Sequence, residues 1–136
     1  MEGIKTIESA FGPKDTMDRL EAGVRARGMT VFLRLDHAAG AAQAGFFLRP
    51  TELLIFGNAR SGTPLMHAQQ TIGLDLPLKV LVWQDADDRT WLAYSDPPWI
   101  VARHGAGPEA TPLAAGMAAV LAELCALAGK AGDPPS

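Results

Sequence analysis

Asp36 and His37 are neighbouring residues whose side chains could do chemistry together, and they stand at the predicted end of a strand. A carboxylate beside an imidazole can orient a general acid or base, or bind a ligand or metal. Strand ends are also where binding sites collect in open α/β sheets. Asp36 has a structural alternative, because aspartate is a good N-cap for the helix predicted to follow it.

A second candidate is the glycine-containing segment Gly57–Thr63, which follows a predicted buried strand and precedes a predicted helix at Thr63-Pro64. Backbone N–H groups at a helix start can face an anion, and Asn58, Arg60 and Thr63 could add side-chain contacts. The segment is not a P-loop, because the lysine that should follow the second glycine is missing. The alternative is that the glycines serve only the turn and Thr63 only the cap.

Arg49 and Glu52 flank the strand that joins these two features, and we expect them to line the same cleft. The leading hypothesis is therefore a small-ligand or anion binding or sensing module with Asp36, His37 and the Gly57–Thr63 segment around its ligand. The alternative is an enzyme of unknown reaction type, with His37 as general acid/base and Arg60 binding an anionic substrate. A protein that only binds other proteins would need no cleft. The sequence identifies no cofactor.

Three histidines raise the question of a metal site: His37, His67 and His104. None has a partner at the three- or four-residue helical spacing that marks a metal motif, and His104 is explained by its place in the last turn of a helix. Cys125, the single cysteine, lies in an apolar helical stretch and is expected to be a small buried hydrophobe. The sequence therefore predicts no metal site and excludes an intrachain disulfide.

Composition narrows the class of protein. The 136 residues carry a net charge of −3 with acids and bases interleaved, which disfavours nucleic-acid binding. No uninterrupted apolar run approaches the roughly 20 residues of a membrane span, and the first residues lack the apolar stretch of a secretion signal. We therefore predict a cytoplasmic protein without a membrane partner, built as a single α+β domain over 1–129 with a flexible tail over 130–136.

Hydrophobic periodicity predicts five strands with helices between them. The strands are expected at Gly3–Glu8, Thr30–Leu35, Glu52–Phe56, Leu78–Trp83 and Thr90–Tyr94. The last two form an antiparallel hairpin, whereas the first strand–helix–strand unit could be a right-handed parallel crossover. The expected fold is α+β, two-layered, with a mixed, mainly antiparallel sheet of about five strands and helices mainly on one face. A flavodoxin-like fold is disfavoured because the hairpin breaks strict alternation.

Two details of this pattern can be compared with a structure. In the second strand, Val31, Leu33 and Leu35 are expected on the buried side and Arg34 on the other. The final helix has an apolar stripe of large residues and a second face of small ones, which a neighbouring helix or a second subunit could cover. The small face consists of Ala114, Ala115, Ala118, Ala122 and Ala126.

Several segments in this order resemble the domain-of-unknown-function 302 family, and the resemblance extends from the first strand to about Gly105. They are Leu35–Ala42, Leu48–Asn58, Gly73–Val80, Tyr94–Pro97 and Arg103–Gly105. The resemblance implies a compact α+β domain that tends to form homodimers, and we expect the dimer to use the apolar helix surface. It implies no catalytic residues. Members of the family often have a glycine in the hairpin turn, where this chain has Asp88.

Overall fold

Five strands form one sheet in the order β1-β5-β4-β3-β2, and five α-helices accompany it. The computed structural model describes residues 1–130, so the tail expected at 130–136 lies outside the described residues apart from Lys130. The elements are β1 (Ile4–Ser9), α1 (Pro13–Ala26), β2 (Thr30–Asp36), α2 (His37–Gln43), β3 (Thr51–Gly57), α3 (Ala59–Ala68), a 3-10 helix (Gln70–Leu74), β4 (Leu78–Gln84), β5 (Thr90–Ser95), α4 (Pro97–Arg103) and α5 (Ala110–Gly129).

The expected α+β class and the antiparallel β4–β5 hairpin are confirmed. All four strand pairings are antiparallel, so the described sheet is not mixed. β1 and β2 do run in the same direction, but they lie at opposite edges of the sheet with three strands between them. The two parallel strands are therefore joined through α1 but are not hydrogen-bonded to each other, because β5 lies beside β1.

The hairpin turn is organised by the carboxylate of Asp85. Its Oδ1 accepts hydrogen bonds from the backbone N–H groups of Asp87 and Arg89 at 2.9 and 3.0 Å. Its Oδ2 accepts the indole N–H of Trp91 at 2.8 Å. This turn places Asp88 at a φ of 61°, in the left-handed region that favours glycine. The turn therefore has the geometry that a glycine would suit.

Asp88→Gly is expected to raise the free energy of unfolding by about 0.5 kcal/mol, because relief of the left-handed strain outweighs the greater chain entropy of glycine. The ion pair that Asp88 makes with Arg49 at 3.5 Å is exposed and contributes little. Urea denaturation measures the effect. Asp87→Gly is the matched control and should lower stability, since Asp87 does not have a positive φ. A variant Asp88→Gly that is less stable than the parent would contradict the argument.

The core lies between one face of the sheet and the helices α1 and α5. Strand residues alternate, so Leu54 and Phe56 of β3, with Val80 of β4, point to this face and are fully buried. The helices contribute Met17, Leu20, Val24, Met117, Leu121, Leu124 and Cys125. Burial raises the pKa of the Cys125 thiol to about 12, which confirms the expected inert hydrophobe.

The opposite face of the sheet, here called the open face, carries a second apolar set in register across the strands. It consists of Leu33, Leu35, Leu53, Ile55, Leu81, Trp83 and Trp91, none of which is fully buried. The expectation that Leu33 and Leu35 share the buried side with Val31 is wrong. A register shift between Val31 and Leu33 reverses the alternation, so Val31 pairs with Phe56 while Leu33 pairs with Ile55.

Helix α5 directs most of its large side chains inward, and the small face expected from the sequence is divided, because Ala114 is buried. Met117, Leu121 and Leu124 are buried, whereas Ala115 and Ala122 are exposed. Among the described residues α5 is the one helix long and apolar enough to cross a membrane, with a mean hydropathy of 1.7. Its contacts with α1, α3, α4 and the sheet are those of a core helix in a globular domain.

Candidate functional site

A cavity of about 580 Å³ opens between the start of α3, the segment before β4 and the middle of α5. Most of its wall is apolar. The apolar side chains include Met29, Phe32, Met66, Leu76, Leu113 and Val120. Gly116 of α5 also lines the cavity, and a Cβ atom added there would meet no other atom within 4 Å. The cavity therefore has free space directly above this glycine.

The polar part of the wall is the Gly57–Thr63 segment that the sequence singled out, including Asn58, Arg60 and Thr63. Asn58 is the N-cap of α3, and its Oδ1 accepts the backbone N–H of Ser61 at 2.8 Å. The helix therefore begins at Ala59, and the predicted start at Thr63-Pro64 is wrong. The physical reason is that the asparagine cap at position 58 satisfies the first turn five residues earlier than the expected threonine cap.

Electrostatics at this end of the cavity favour an anion. The first turn of α3 presents the positive end of the helix dipole, and the exposed Arg60 makes no ion pair with another described residue. Neither aspartate nor glutamate lines the cavity. The described wall therefore combines one cationic side chain and the polar side chains at the start of α3 with a mostly apolar surface.

Asp36 and His37 do not line this cavity. Asp36 caps α2, because its Oδ1 accepts the backbone N–H of Ala39 at 2.9 Å, which confirms the structural alternative for this residue. His37 is the first residue of α2 and is exposed. A binding role for the pair stays a prediction.

Glu52 and Arg49 also lie away from the cavity, since each has a partner of opposite charge elsewhere. The carboxylate of Glu52 holds the guanidinium of Arg34, with Nε to Oε2 at 2.6 Å and Nη2 to Oε1 at 3.2 Å. Arg49 faces Asp88 of the hairpin turn. The single cleft expected for all seven predicted residues is thus not formed around this cavity: Asn58, Arg60 and Thr63 line it, and the other four do not.

Arg34 also connects β2 to α1, where its Nη1 lies 2.7 Å from Asp18 Oδ1 and 3.3 Å from Glu21 Oε1. The hydrogen bond to Glu52, followed by those to Asp18 and Glu21, raises the pKa of the Arg34 guanidinium above its ordinary value. In turn, Lys14 and Arg34 lower the pKa of Asp18, and Arg25 and Arg34 lower that of Glu21. The cluster is a charged clamp between the sheet edge and α1.

A cluster around His104 was missed by sequence reasoning. His104 Nε2 lies 2.6 Å from Asp75 Oδ2, its Nδ1 lies 2.9 Å from Thr71 Oγ1, and its side chain is 7% exposed. Arg103 binds both oxygens of Asp75 at 2.9 and 2.8 Å. Burial alone would raise the pKa of Asp75, but the hydrogen bond from His104 and the charge of Arg103 outweigh it and lower that pKa.

This cluster fixes one wall of the cavity, because Asp75 lies between Gly73 and Leu76, which both line it. Asp75 and His104 fall in two of the segments that carry the family resemblance, Gly73–Val80 and Arg103–Gly105. Their place in these segments was the one signal in the sequence that could have identified the cluster. The sequence analysis instead explained His104 by its place at the end of a helix. Among residues 1–130, no three His, Cys, Asp or Glu side chains come together as a potential metal site.

A family model described as domain of unknown function DUF302 matches residues 5–124. A crystal structure of an uncharacterized conserved protein DUF302 from Bacillus stearothermophilus has the same fold, with a TM-score of 0.82 at 21% sequence identity. The likeness covers 92% of this chain and 97% of that one. At this level of identity the comparison concerns the fold.

Among curated proteins, the fluoride-specific ion channel FluC 1 of Brucella suis biovar 1 (strain 1330) is 48% identical over 105 residues, which are 77% of this chain and 41% of that protein. The fluoride-specific ion channel FluC 2 of Brucella melitensis biotype 1 (strain ATCC 23456 / CCUG 17765 / NCTC 10094 / 16M) is also 48% identical, over 77% of this chain and 39% of its own length. The matched region thus spans about two fifths of the length of these relatives.

Proposed function

We propose that this chain, which belongs to the family of domain of unknown function DUF302, is a small-ligand binding or sensing module. Its ligand has an apolar body and one anionic group. The observation that carries the proposal is the cavity beside α3 and α5, whose wall is apolar except at the start of α3. A volume of about 580 Å³ lies within the range of about 300–1,000 Å³ that is typical of small-molecule sites.

The two parts of the ligand follow from the two parts of the wall. An apolar body is favoured because Met29, Phe32 and Val120 would otherwise leave apolar surface in contact with water. An anionic group is favoured at the α3 end, where Arg60 and the helix dipole have no carboxylate of the wall to compete for them. A ligand with only one of these parts would leave either the apolar wall or the cationic end of the cavity without a complementary group.

The test compares two fluorescent probes of similar shape and different charge. Anilinonaphthalene sulfonate carries a sulfonate, and N-phenylnaphthylamine is its neutral counterpart. We expect Arg60→Gln to weaken the sulfonate probe by about 5- to 10-fold, the loss of one charge-assisted contact, and to change binding of the neutral probe less than about 2-fold. Fluorescence titration measures both constants.

Arg89→Gln is the matched control, because Arg89 is an exposed arginine of the hairpin turn and does not line the cavity. It should leave both probes unaffected. Equal losses for the two probes in Arg60→Gln, or no sulfonate binding to the parent protein, would contradict an anion site at the start of α3.

The enzyme alternative depends on His37 and is less well supported. His37 is exposed at the start of α2 and does not line the cavity, so the imidazole has no bound substrate beside it there. A substrate screen on the parent and on His37→Ala distinguishes the two hypotheses. An activity that is present in the parent and lost in His37→Ala would favour the enzyme hypothesis over the binding module.

The relatives favour a second candidate function, a module that acts with a fluoride channel. The support is 48% identity over 105 residues to proteins whose remaining length exceeds the matched part. If the domain binds fluoride itself, sodium fluoride at about 10 mM should raise the melting temperature above that in sodium chloride, by mass action on the folded state. Identical melting curves in the two salts would contradict fluoride binding by this domain. Fluoride would then be handled by the parts of the relatives that this chain does not match.

A further inference from the structure

We infer that the ligand of the cavity is an unbranched alkyl carboxylate, a fatty acid of medium chain length. The inference rests on the proposed binding function and names the chemical class of its ligand. The first observation is where the wall is polar: side chains that can form hydrogen bonds line the cavity only within residues 58–63, at the start of α3. Elsewhere the described wall consists of methionine, phenylalanine, leucine, valine, proline and glycine.

This distribution disfavours ligands whose polar atoms are spread over their whole length. A nucleotide, a sugar or a peptide would place hydroxyl or amide groups against the apolar part of the wall. No side chain there could replace the hydrogen bonds that these groups make with water, so their burial would be unfavourable. The ligand that fits the wall therefore carries its polar atoms at one end.

The apolar part of the cavity extends along two turns of α5. Leu113, Gly116, Met117 and Val120 line it and have the spacing i, i+3, i+4 and i+7, which places them on one face of the helix. Gly116 leaves room in the middle of this face, since an added Cβ would meet nothing within 4 Å. The face is about 10 Å long at the helical rise of about 1.5 Å per residue. Because C–C bonds of about 1.5 Å advance an extended chain by roughly 1.25 Å each, this length matches about eight methylene groups.

Methionine side chains favour a flexible chain over a rigid ring system. One aromatic residue, Phe32, lines the described wall, whereas three of the five methionines do. These three are Met29, Met66 and Met117. Met66 lies between two glycines: a Cβ added at Gly73 would be 3.3 Å from its Sδ, and one added at Gly62 would be 3.9 Å from its Cε. An unbranched thioether with this much room adapts to a chain that bends, while a ring would gain stacked contacts only from Phe32.

The charge of the wall indicates the head group. Arg60 is the one cationic side chain of the described wall, and a guanidinium offers two parallel N–H groups that match the two oxygens of a carboxylate. A phosphate monoester carries nearly two negative charges at pH 7, and the described wall has no second cation for it. A single carboxylate with about eight methylene groups corresponds to decanoate.

Isothermal titration calorimetry with straight-chain carboxylates from hexanoate to tetradecanoate tests the inference on the whole chain. We expect affinity to rise about 10-fold for each two methylene groups up to decanoate, because each group leaves water. From decanoate to tetradecanoate the gain should be less than about 2-fold in total, since the added carbons would extend beyond the face of α5 and stay in water. Affinity that does not depend on chain length, or that rises steadily to tetradecanoate as in unspecific adsorption, would overturn the inference.

Three further ligands test the head group and the chain separately: decanol, decyl phosphate and 2-naphthoate. Decanoate should bind at least about 5-fold more tightly than each of them. Tighter binding of decyl phosphate would assign the cavity to phosphate esters, and tighter binding of 2-naphthoate would assign it to ring acids; either result overturns the inference. Decanol that binds as tightly as decanoate would contradict the anionic end, and with it the proposed function. Anilinonaphthalene sulfonate that binds through Arg60 while no alkyl carboxylate binds would refute this inference alone.

Val120→Glu locates the chain in the cavity. A carboxylate introduced beside the alkyl chain should weaken decanoate binding at least about 10-fold. Leu127→Glu is the matched control and should leave the affinity unchanged, since Leu127 is 44% exposed on the same helix and does not line the cavity. Leu113→Glu, at a position that is 36% exposed, is the second variant, and circular dichroism checks folding. Equal affinity in the parent, Val120→Glu and Leu113→Glu would place the chain elsewhere and overturn the inference.

Discussion

Gly116→Leu is expected to abolish most binding of anilinonaphthalene sulfonate while making α5 more stable. Gly116 lines the cavity from the middle of α5, and an added Cβ there projects into open space. A leucine side chain would therefore occupy the volume that the ligand's apolar body needs, and we expect affinity to fall at least about 30-fold. In the same variant, exchange of glycine for a good helix former should add about 1 kcal/mol to stability.

A fall in probe affinity together with a rise in stability would distinguish this effect from damage to the fold, which would lower both. Gly116→Ala is the first control: it should give a similar gain in stability and keep most of the cavity. Gly40→Leu is the second, since Gly40 lies in α2, away from the cavity, and a Cβ there also meets nothing within 4 Å. Fluorescence titration and urea denaturation measure the two quantities. Unchanged probe affinity in Gly116→Leu would place the probe outside the cavity and refute the proposed site.

Arg34→Met is expected to lower the free energy of unfolding at pH 7 by about 2–3 kcal/mol, the largest stability change predicted for this chain. Arg34 is the cation shared by Asp18, Glu21 and Glu52, and its side chain is 26% exposed. Without it, three carboxylates between β2, β3 and α1 would lose the hydrogen bonds that Arg34 donates and the positive charge that lies between them. Methionine keeps much of the side-chain volume, so the change removes the charge and hydrogen bonds more than the packing.

The loss should depend on pH in a defined direction. Arg34 helps to lower the folded-state pKa of Asp18 and Glu21 below their ordinary values of 3.8 and 4.5. A lowered pKa stabilises the folded state above the unfolded-state pKa, and this contribution disappears as pH falls through the folded-state pKa. The gap between parent and variant should therefore be full at pH 7 and shrink below about pH 4.

Urea denaturation at pH 7 and pH 3 measures that gap. Arg25→Met is the matched control, because Arg25 makes an exposed pair with Glu21 one turn away and should cost less than about 0.5 kcal/mol. A gap of the same size at both pH values would show that Arg34 acts through packing rather than through charge.

The helices, strands and turns were well predicted from the sequence, because the signals that start and end them come from neighbouring residues. The polar turn after Trp83 correctly gave the β4–β5 hairpin, and Gly28 correctly separated α1 from β2. The order of the strands was not predictable in this way. The pairing of β1 with β5 depends on contacts between residues far apart in the chain, and the register shift at Phe32 leaves no mark on the apolar pattern.

In the candidate site too, local patterns were predictable from the sequence, whereas contacts between distant residues were not. The Gly57–Thr63 segment was found because glycines before a helix are a local pattern, and it lines the cavity. Glu52 was assigned to a cleft only because it flanks the strand between the two candidate features, and its pairing with Arg34 of the neighbouring strand was not predicted. The apolar wall went unnoticed, since Phe32, Met66 and Val120 come from three separate elements and look like ordinary core residues in the sequence.

The strand order also has a consequence for synthesis on the ribosome. Of the five strands in this sheet β1 is the first to be made, yet its ladder partner is β5, with Ile4 opposite Ser95. The hairpin of β2 with β3, and then β4, can assemble while the chain is still growing, whereas β1 must wait for nearly all of the sheet to be translated. The earliest strand to emerge should thus be the last to acquire hydrogen-exchange protection in the nascent chain.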